Sequence, residues 1–382
     1  MAYSQSRIRR PQSSSHSASA AATSSASVAA RERWRARRPE NQSGNIYVDH
    51  ACIDCDTCRW MAPETFGRVN GKSAVVAQPE VGTEAHKRAM MALSACPTFS
   101  IHANAPPAGA VAAAAKAFPA CVDPTRPDIL HMGFHAATSF GATPYLVVRD
   151  QGGNFMVDCP RFDRGLAKRV EEAFGGVSYI VLTHIDDVAD HEKWAAYFGA
   201  KRILHEAELD VASAKGGNAV GFFEQLHPGF VDRLEKVEVK LTGDGPWTLP
   251  DGGNDVEIIF TPGHSAGHVC VFHKPSKVLF TGDHLCGCGP RFPERYGQLF
   301  LLREFLEPVI WNVSEQIASL EKLVGMEFDT ILPGHGRAHR YFTTSAKDDA
   351  LETVIAFEKS RPVVENVEPS SQVLELTYDG VL

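Results

Sequence analysis

Four residues between positions 184 and 335 have the chemistry of metal ligands, namely His184, His264, Asp283 and His335. Each follows a short run of apolar and β-branched residues, which is typical of a buried strand. A glycine directly before the last three lets the backbone turn sharply. Side chains at the ends of packed strands sit on rigid supports, as a metal site requires. Three imidazoles and one carboxylate are suitable ligands for a divalent metal ion.

The elements that would position these residues alternate between strands and helices. The segments 145–148 and 154–158 flank a Gln-Gly-Gly turn and predict a hairpin. Helices are predicted over 164–174 and about 190–198, with the strand that ends at His184 between them. This alternation of hairpins and βα units predicts two stacked mixed sheets covered by helices.

Three segments resemble the motifs of a known family. They read T-P-G-H-S-A-G-H over 261–268, F-T-G-D over 280–283 and L-P-G-H-G over 332–336. In this order they resemble the motifs of the metallo-β-lactamase fold, the αββα sandwich shared with glyoxalase II and persulfide dioxygenases. The resemblance implies an α/β domain, which we place over residues 131–345.

The resemblance also implies roles for individual residues. His264 would bind a first metal ion, Asp283 would bridge two ions, and His335 would bind the second. His184 aligns with a further ligand. His268 falls on a family histidine that usually lies behind the ligands. The cofactors implied are one or two divalent ions, which would be zinc, iron or manganese.

The segment around His184 departs from the family pattern T-H-x-H-x-D-H. It reads T-H-I-D-D-V-A-D-H, with His184 in second place. In an alignment without a gap, Asp186 takes the place of the second histidine. In an alignment with a two-residue insertion, Asp190 and His191 recover the final Asp-His pair, and the second histidine is missing.

Helical spacing favours the second alignment. Asp187, Asp190 and His191 would share one face of a helix that begins near Asp187, so we expect all three near the metals. Asp186 is then expected to cap this helix. Asp187 and Asp190 are the candidates for a catalytic carboxylate that orients the attacking water. More carboxylate and less imidazole moves the metal preference from zinc toward iron or manganese. A loop that binds one ion or none is the alternative.

Four cysteines in the first quarter of the chain form a second candidate site. Cys52, Cys55 and Cys58 make a C-x2-C-x2-C run, and Cys96-Pro97 follows downstream. Zinc is a competing interpretation, but zinc sites usually use two separated C-x2-C pairs. Residues 46–103 resemble a bacterial-type ferredoxin with a single cluster, a small α+β domain. The resemblance implies a [4Fe–4S] cluster on these four cysteines.

The two candidate sites together allow three functions. The leading hypothesis is a hydrolase in which a metal-bound hydroxide attacks an ester or thioester bond of a small molecule. The first alternative is an iron-dependent oxidoreductase in which the cluster transfers electrons, with a redox partner protein. The second is a non-catalytic redox sensor with a degenerate metal site.

The remaining segments set the boundaries of these domains. Residues 1–45 begin with a Ser-, Ala- and Arg-rich stretch that has no acidic residue up to Ala30, the composition of a transit peptide, and a disordered tail is the alternative. Residues 104–130 are rich in alanine and proline and predict a linker. Residues 346–382 predict a last helix, over 350–359, and a tail.

Composition narrows the compartment and the partners. The dense serine and alanine of the first residues favour the chloroplast stroma, a reducing compartment in which cysteines serve metals and not disulfides. The formal net charge of −8 argues against a nucleic-acid partner. No apolar stretch approaches the roughly 20 residues needed to span a bilayer, so no membrane partner is expected.

Overall fold

Two β-sheets stack face to face in the computed structural model, and helices cover both outer faces. The structure describes residues 34–210, 230–287, 299–301 and 312–361. Within these residues, no helix is both long and apolar enough to cross a membrane. The predicted αββα sandwich, preceded by a small α+β unit, is confirmed.

The first sheet has seven strands in the order β11-β10-β9-β8-β7-β6-β5. Strands β5 to β8 pair antiparallel, and β8 to β11 pair parallel. The predicted hairpin is the β7–β8 pair. The bounds are β5 (Ala120–Asp123), β6 (Arg126–His131), β7 (Tyr145–Val147), β8 (Phe155–Val157), β9 (Tyr179–Val181), β10 (Lys201–His205) and β11 (Val239–Leu241).

The second sheet has five strands in the order β12-β13-β14-β17-β18, with β14 and β17 parallel. Three two-stranded ladders, β1–β4, β2–β3 and β15–β16, complete the described strands. The bounds are β1 (Ile46–Val48), β2 (Phe66–Val69), β3 (Lys72–Val75), β4 (Ile101–Ala103), β12 (Val256–Phe260), β13 (Val269–His273), β14 (Val278–Gly282), β15 (Cys286–Gly287), β16 (Leu299–Phe300), β17 (Thr330–Pro333) and β18 (His339–Arg340).

Nine α-helices lie among the described residues, several of them with polar side chains that cap their first turn. Asp163, for example, accepts a hydrogen bond from the backbone N–H of Leu166 at 2.7 Å. The helices are α1 (Thr57–Met61), α2 (Glu84–Ala95), α3 (Ala110–Lys116), α4 (Arg164–Phe174), α5 (His191–Phe198), α6 (Ala207–Asp210), α7 (Phe230–Glu235), α8 (Val313–Glu321) and α9 (Thr344–Ser360).

Three clusters of buried apolar side chains hold the layers together. The central one joins the facing sides of the two sheets, for example Val157 and Phe280. A second packs α8 and α9 on the outer side of the second sheet. The third lies on the outer side of the first sheet and joins α4 and α5 to residues 34–103, which we call the N-terminal unit. The N-terminal unit therefore shares a core with the sandwich.

The linker predicted over residues 104–130 is not what the structure shows. This stretch contains α3 and the two strands β5 and β6, which extend the first sheet. Pro127 suggested a linker, but the β5–β6 ladder is irregular between Cys121 and Asp123, so Pro127 has no partner in the described ladder. A proline is tolerated at such a bulge because its missing N–H is not needed there.

Two other boundaries also differ from the predictions. Residues 34–45, assigned to the transit or disordered segment, pack on the N-terminal unit, where Arg38 is buried and donates to the carbonyl of Val69 at 2.9 Å. The last helix begins earlier than residue 350, because Thr343 caps it by accepting from the N–H of Ala346 at 3.1 Å. Residues 1–33 and 362–382 lie outside the described residues.

Candidate functional site

Four donor side chains meet at one end of the sandwich and form what we call the first donor group, His184, Asp186, His264 and Asp283. Oδ2 of Asp186 lies 3.8 Å from Nε2 of His184 and 3.6 Å from Nε2 of His264. Oδ2 of Asp283 lies 3.9 and 3.8 Å from the same two nitrogens. Ligands of one tetrahedral ion at about 2.0–2.2 Å would lie roughly 3.3–3.6 Å apart. The four distances are at most a few tenths of an ångström longer than this range. His184, His264 and Asp283 form a set whose ligand atoms all lie within 4.8 Å of one another, and Asp186 adjoins its two imidazoles.

A second donor group, Asp187, Asp283 and His335, shares the carboxylate of Asp283. Its ligand atoms all lie within 4.8 Å of one another. Oδ1 of Asp283 is 2.6 Å from Nδ1 of His335, while its Oδ2 faces the first group. This is the arrangement of a bridging carboxylate between two positions for metal ions.

Glycine is required where the strands β14 and β17 end. A Cβ on Gly334 would lie 2.9 Å from Oδ1 of Asp283 and 3.0 Å from Oδ2 of Asp187. Gly282 has a φ of +47°, and its Cβ would lie 2.6 Å from Oγ1 of Thr183. Gly334 therefore gives the two carboxylates room to converge, and Gly282 allows the turn and leaves room for Thr183.

Both donor groups contain buried polar atoms that have no hydrogen-bond partner among the described residues. Both carboxylate oxygens of Asp187 are in this state, as are Nε2 of His184, both ring nitrogens of His264 and Nε2 of His335. A buried carboxylate without a partner is costly. Burial and the nearby carboxylate of Asp283 raise the pKa of Asp187 well above its usual value. Divalent cations would satisfy these atoms, so the residues fit the metal ions that the sequence predicts.

Burial and neighbouring charges shift the pKa values of three of the ligand side chains. Burial lowers the pKa of His184 to about 4, so its imidazole is neutral and free to bind a metal. Burial also lowers the pKa of His335, but the adjacent Asp283 outweighs it and raises the value overall. The imidazoles of His335 and His184 hold the pKa of Asp283 below its usual range, although burial acts in the opposite direction.

A chain of hydrogen bonds orients His184 from behind. Its Nδ1 lies 3.0 Å from Oγ1 of Thr183, and that hydroxyl donates to Asp158 at 2.9 Å. Asp158 also accepts the backbone N–H of Thr183 at 2.8 Å. Burial raises the pKa of Asp158 to about 7. Supports of this kind fix the ring orientation of a metal-binding histidine.

Glu208, which no sequence pattern singles out, ties the two ligand-bearing loops together. One carboxylate oxygen accepts the N–H of Ile185 at 2.9 Å. The other accepts the hydroxyl of Ser265 and the N–H of Gly267, both at 2.6 Å. Glu208 is buried, and burial raises its pKa to about 7. Its position depends on long-range packing, which no local motif reports.

The structure corrects two ligand predictions in the irregular loop. Oδ2 of Asp190 accepts the N–H of Phe162 at 2.7 Å, and its Oδ1 pairs with Lys193 at 2.7 Å. Nδ1 of His191 accepts from Arg202 at 3.2 Å. Asp190 and His191 therefore anchor the start of α5 and do not reach the donors, and Asp190 is not placed to act on a bound substrate.

Asp186 takes the opposite role from the predicted one. It does not cap a helix, because α5 begins only at His191, and its carboxylate lies in the first donor group. The geometry favours the alignment without a gap, in which Asp186 replaces the second histidine. Asp187 reaches the second group, but from the loop before α5 and not from a helix face.

Two further histidines are buried beside the first donor group. The ring of His268 lies 5.0 Å from that of His184, and its Nδ1 is 3.1 Å from Oγ1 of Thr261. Neither ring nitrogen of His284, directly after Asp283, has a hydrogen-bond partner in the described part of the chain. Burial lowers the pKa of both imidazoles, so both are neutral. Cys286, three residues after Asp283, is buried in β15, and Cys288 lies outside the described residues.

The four cysteines of the N-terminal unit line a single cavity. Among the described residues, the groups of three donors within 4.8 Å of one another contain no cysteine. A single zinc ion with bonds of about 2.3 Å would require sulfurs roughly 3.8 Å apart. A wider separation around one cavity fits an iron–sulfur cluster better than a zinc ion.

Polar groups point at the sulfurs of this cavity. The backbone N–H of Ser100 donates to Sγ of Cys96 at 3.3 Å, and Oγ of Ser73 lies 3.2 Å from Sγ of Cys58. Burial raises the pKa of Cys55 to about 12. These thiols would be protonated on their own, and bound iron would favour their thiolate form.

Residues 138–335, more than half of the chain, match the metallo-beta-lactamase superfamily. The chain belongs to this superfamily. Residues 48–103 match the 4Fe-4S single cluster domain of Ferredoxin I. The two family assignments made from the motifs are thus confirmed, and the lactamase-like sandwich carries a ferredoxin-like unit at its N-terminal side.

Curated relatives of the lactamase-like region are hydrolases by name. The hydroxyacylglutathione hydrolase of Pelagibacter ubique is 28% identical over 160 residues, which are 41% of this chain and 57% of that protein. The hydroxyacylglutathione hydrolase of Rhizobium meliloti is 33% identical over 115 residues, 28% and 39% of the two chains. The probable metallo-hydrolase YflN of Bacillus subtilis is 26% identical over 174 residues, 41% and 63%. This chain spans less than two thirds of each relative.

Solved structures of the same fold are similar at low sequence identity. An archaeal metallo-beta-lactamase superfamily protein from Sulfolobus tokodaii is 18% identical, with a TM-score of 0.40 over 62% of this chain and 89% of that one. The DIM-1 metallo-beta-lactamase exposed to ceftazidime is 18% identical, with a TM-score of 0.42 over 60% and 95%.

Proposed function

We propose that the protein is a metal-dependent hydrolase that cleaves an ester or thioester bond of a small molecule. The observation that carries this proposal is the pair of donor groups that share Asp283, with both oxygens of the buried Asp187 unpartnered among the described residues. Such a site offers donors for two cations.

Divalent ions bound there would polarise a carbonyl group and lower the pKa of a water molecule. The residues of the chain supply the geometry. His184 and His264 would hold an ion at the first position, His335 and Asp187 would hold one at the second, and Asp283 belongs to both donor groups. Asp187 would hold an ion through one oxygen and would accept a proton from water through the other, because neither oxygen has a hydrogen-bond partner in the described part of the chain.

The donor set of the first position favours harder ions than the family pattern does. Asp186 stands where a histidine is usual, so the position has two carboxylates for its two imidazoles. Iron and manganese bind a donor set that contains carboxylate oxygens better than they bind a set made only of histidines. Manganese and iron are therefore the ions to test first, and zinc after them.

Thioesters are the first substrate class to test. Two relatives carry the name hydroxyacylglutathione hydrolase, and they match this chain over 160 and 115 residues. A thioester carbonyl is less stabilised by resonance than an amide and needs little more than a positioned water molecule. The proposal extends to simple esters, since their chemistry is the same.

An iron-dependent oxidoreductase is the second candidate, because the cysteine cavity directly adjoins the sandwich. Gly141 of the sandwich packs so closely on Cys55 that a Cβ there would lie 3.0 Å from its Sγ. A [4Fe–4S] cluster bound by Cys52, Cys55, Cys58 and Cys96 would sit at this contact.

The test is a metal analysis and an activity assay on the same anaerobically purified full-length chain. We expect about four irons for the cluster, one or two further ions, and hydrolysis of hydroxyacylglutathione thioesters or simple aryl esters. A chelator should abolish the activity, and zinc, iron(II) or manganese(II) should restore it. Two bound ions with no hydrolysis of any ester or thioester would contradict the proposal. Iron in the second site that cycles with the cluster would favour the oxidoreductase.

A further inference from the structure

The loop between β6 and β7, residues 134–143, touches the cysteine cavity on one side. A Cβ on Gly141 would lie 2.8 Å from Cβ of Cys55 and 3.2 Å from Cγ of Pro97. Oγ1 of Thr57 lies 3.4 Å from Sγ of Cys55 and 3.3 Å from Nδ1 of His135. We call residues 134–143 the bridging loop. Its conformation depends on the position of Cys55 and its neighbours.

The same loop supports the second donor group on its other side. The N–H of Thr143 donates to the carbonyl of Gly334 at 2.7 Å, directly before the ligand His335. The backbone carbonyl of Phe140 lies beside the His335 imidazole. Phe140 and Gly141 are adjacent, so one peptide unit separates the contact with the cluster ligand from the contact with the metal ligand.

Two arginines join the same regions independently. Arg337, two residues after His335, donates to the carbonyl of Arg59 at 3.3 Å and lies 3.9 Å from Oδ2 of Asp56. Arg161 donates to the carbonyls of Cys96, at 3.1 Å, and His135, at 2.5 Å. Arg161 therefore joins the segment of Cys96 to the bridging loop, and Arg337 joins the segment that follows His335 to the first cysteine-bearing segment.

The first donor group has a different set of supports. His184 is held through Thr183 by Asp158, and the backbone next to Asp186 and His264 is held by Glu208. These supports belong to the sandwich itself. The second position thus depends on the N-terminal unit in a way that the first does not.

We propose that occupancy of the cysteine cavity by the cluster regulates metal binding at the second position, through the bridging loop. With the cluster bound, Cys55 and Thr57 are fixed, the bridging loop is ordered, and His335 is held for its ion. Without the cluster, the second position weakens and the first remains. The proposal rests on the two-ion site of the proposed function. By linkage, an ion at the second position must stabilise cluster binding by the same factor.

Manganese(II) binding to the full-length chain tests this proposal, with and without the cluster. Manganese is preferable to zinc because emptied cysteines would bind zinc. Free manganese is measured by electron paramagnetic resonance in anaerobic titrations of cluster-loaded protein and of protein stripped by ferricyanide and chelator. We expect two ions in the loaded form. Stripping should weaken the second at least about tenfold and leave the first within about twofold.

A glycine pair tests the route. Gly141→Ala, in cluster-loaded protein, should weaken the second ion, because the new Cβ displaces the loop from Cys55. Gly175→Ala is the matched control and should leave both ions unchanged. Gly175 has a similar φ of +79°, and a Cβ there would meet no described atom within 4 Å. The reciprocal measurement is the loss of the cluster's visible absorbance under oxidant, which manganese should slow.

Several outcomes would overturn the proposal. Equal weakening of both ions on stripping would mean that the cluster supports the whole fold, and unchanged binding would mean that the sites are independent. A Gly141→Ala protein that binds both ions normally would also exclude the loop as the route. Coupled manganese binding in a protein that hydrolyses no ester or thioester would support the coupling and reject the proposed hydrolase.

Discussion

The N-terminal unit and the sandwich prepare their metal sites by different means. Two of the four cysteines, Cys52 and Cys55, lie in one irregular loop, where Asp54 and Asp56 have φ values of +62° and +69° and are held by the buried Arg59. Cys58 follows in the first turn of α1. The sandwich places His184, Asp283 and His335 after strands β9, β14 and β17, each of which pairs with a strand on both sides. We expect the cysteine loop to need its cluster to hold its shape, whereas the supports of the first donor group belong to the sandwich itself.

The prediction with the largest expected effect tests whether the cysteine loop depends on its cluster. Cys55→Ser should abolish the visible absorbance of the cluster, because one of four thiolates is lost. Amide hydrogen exchange should then show lost protection over 46–103, while strands β7 to β9 stay protected. Full iron content and an unchanged spectrum would contradict the cluster assignment.

The second prediction concerns the residue that both donor groups share. Asp283→Ala should reduce the metal content of the sandwich to at most one ion and lower hydrolysis by more than about 100-fold, since even supports of ligands cost roughly 10–100-fold. The sandwich should stay folded by circular dichroism, unlike the N-terminal unit without its cluster. Unfolding together with metal loss would show that the two regions do not differ in this respect.

The third prediction separates the two alignments of the irregular loop. Asp186→Ala should weaken the first ion strongly, because a carboxylate of the donor group is removed. His191→Ala should leave the metal content unchanged and lower the free energy of unfolding by about 1–2 kcal/mol, since Arg202 loses one buried hydrogen bond. Metal titration and denaturant unfolding of both variants measure this. Metal loss only in the His191 variant would restore the alignment with the insertion.

The ligands that follow strands could be predicted from the sequence more reliably than those in the irregular loop. His264, Asp283 and His335 each leave a strand through a glycine, so the local pattern already contains the position of the side chain. In the loop around Asp186, the local pattern allowed two alignments. The N–H of Phe162, in a distant segment, donates to Asp190 and holds it away from the donor groups. This contact favours the alignment without a gap. Glu208 was missed for the same reason, because its three donors come from two other loops.

The fourth prediction tests whether the strand ends need such distant support. Glu208→Gln should weaken metal binding roughly 10–100-fold, because an amide has one acceptor oxygen for donors on two sides. Its NH2 group would face either the N–H of Ile185 or the donors Ser265 and Gly267. Glu206→Gln, two residues away and exposed, is the matched control. Equal metal affinities in the two variants would mean that the loops hold their position without Glu208.

The smallest expected effect on the metal centre comes from shortening the N-terminus. A chain that begins at Trp34 should keep its cluster and its metal, since Arg38 and Asn41 remain. A chain that begins at Ile46 loses Asn41, whose side-chain oxygen accepts the N–H groups of Val48 and Val75 at 2.9 and 3.0 Å.

Each of these buried N–H groups left without a partner costs about 1–3 kcal/mol, so the cluster of the shorter chain should be lost several-fold faster under oxidant. The first donor group should not respond, and manganese binding there is the internal control. Equal rates of cluster loss in the two chains would return residues 34–45 to the targeting segment that the composition predicted.

The targeting role of residues 1–33 itself stays a prediction, and a fluorescent fusion of that segment would test it. Import into chloroplasts is the expected result, because the segment combines serine, alanine and arginine and has a single acidic residue, Glu32.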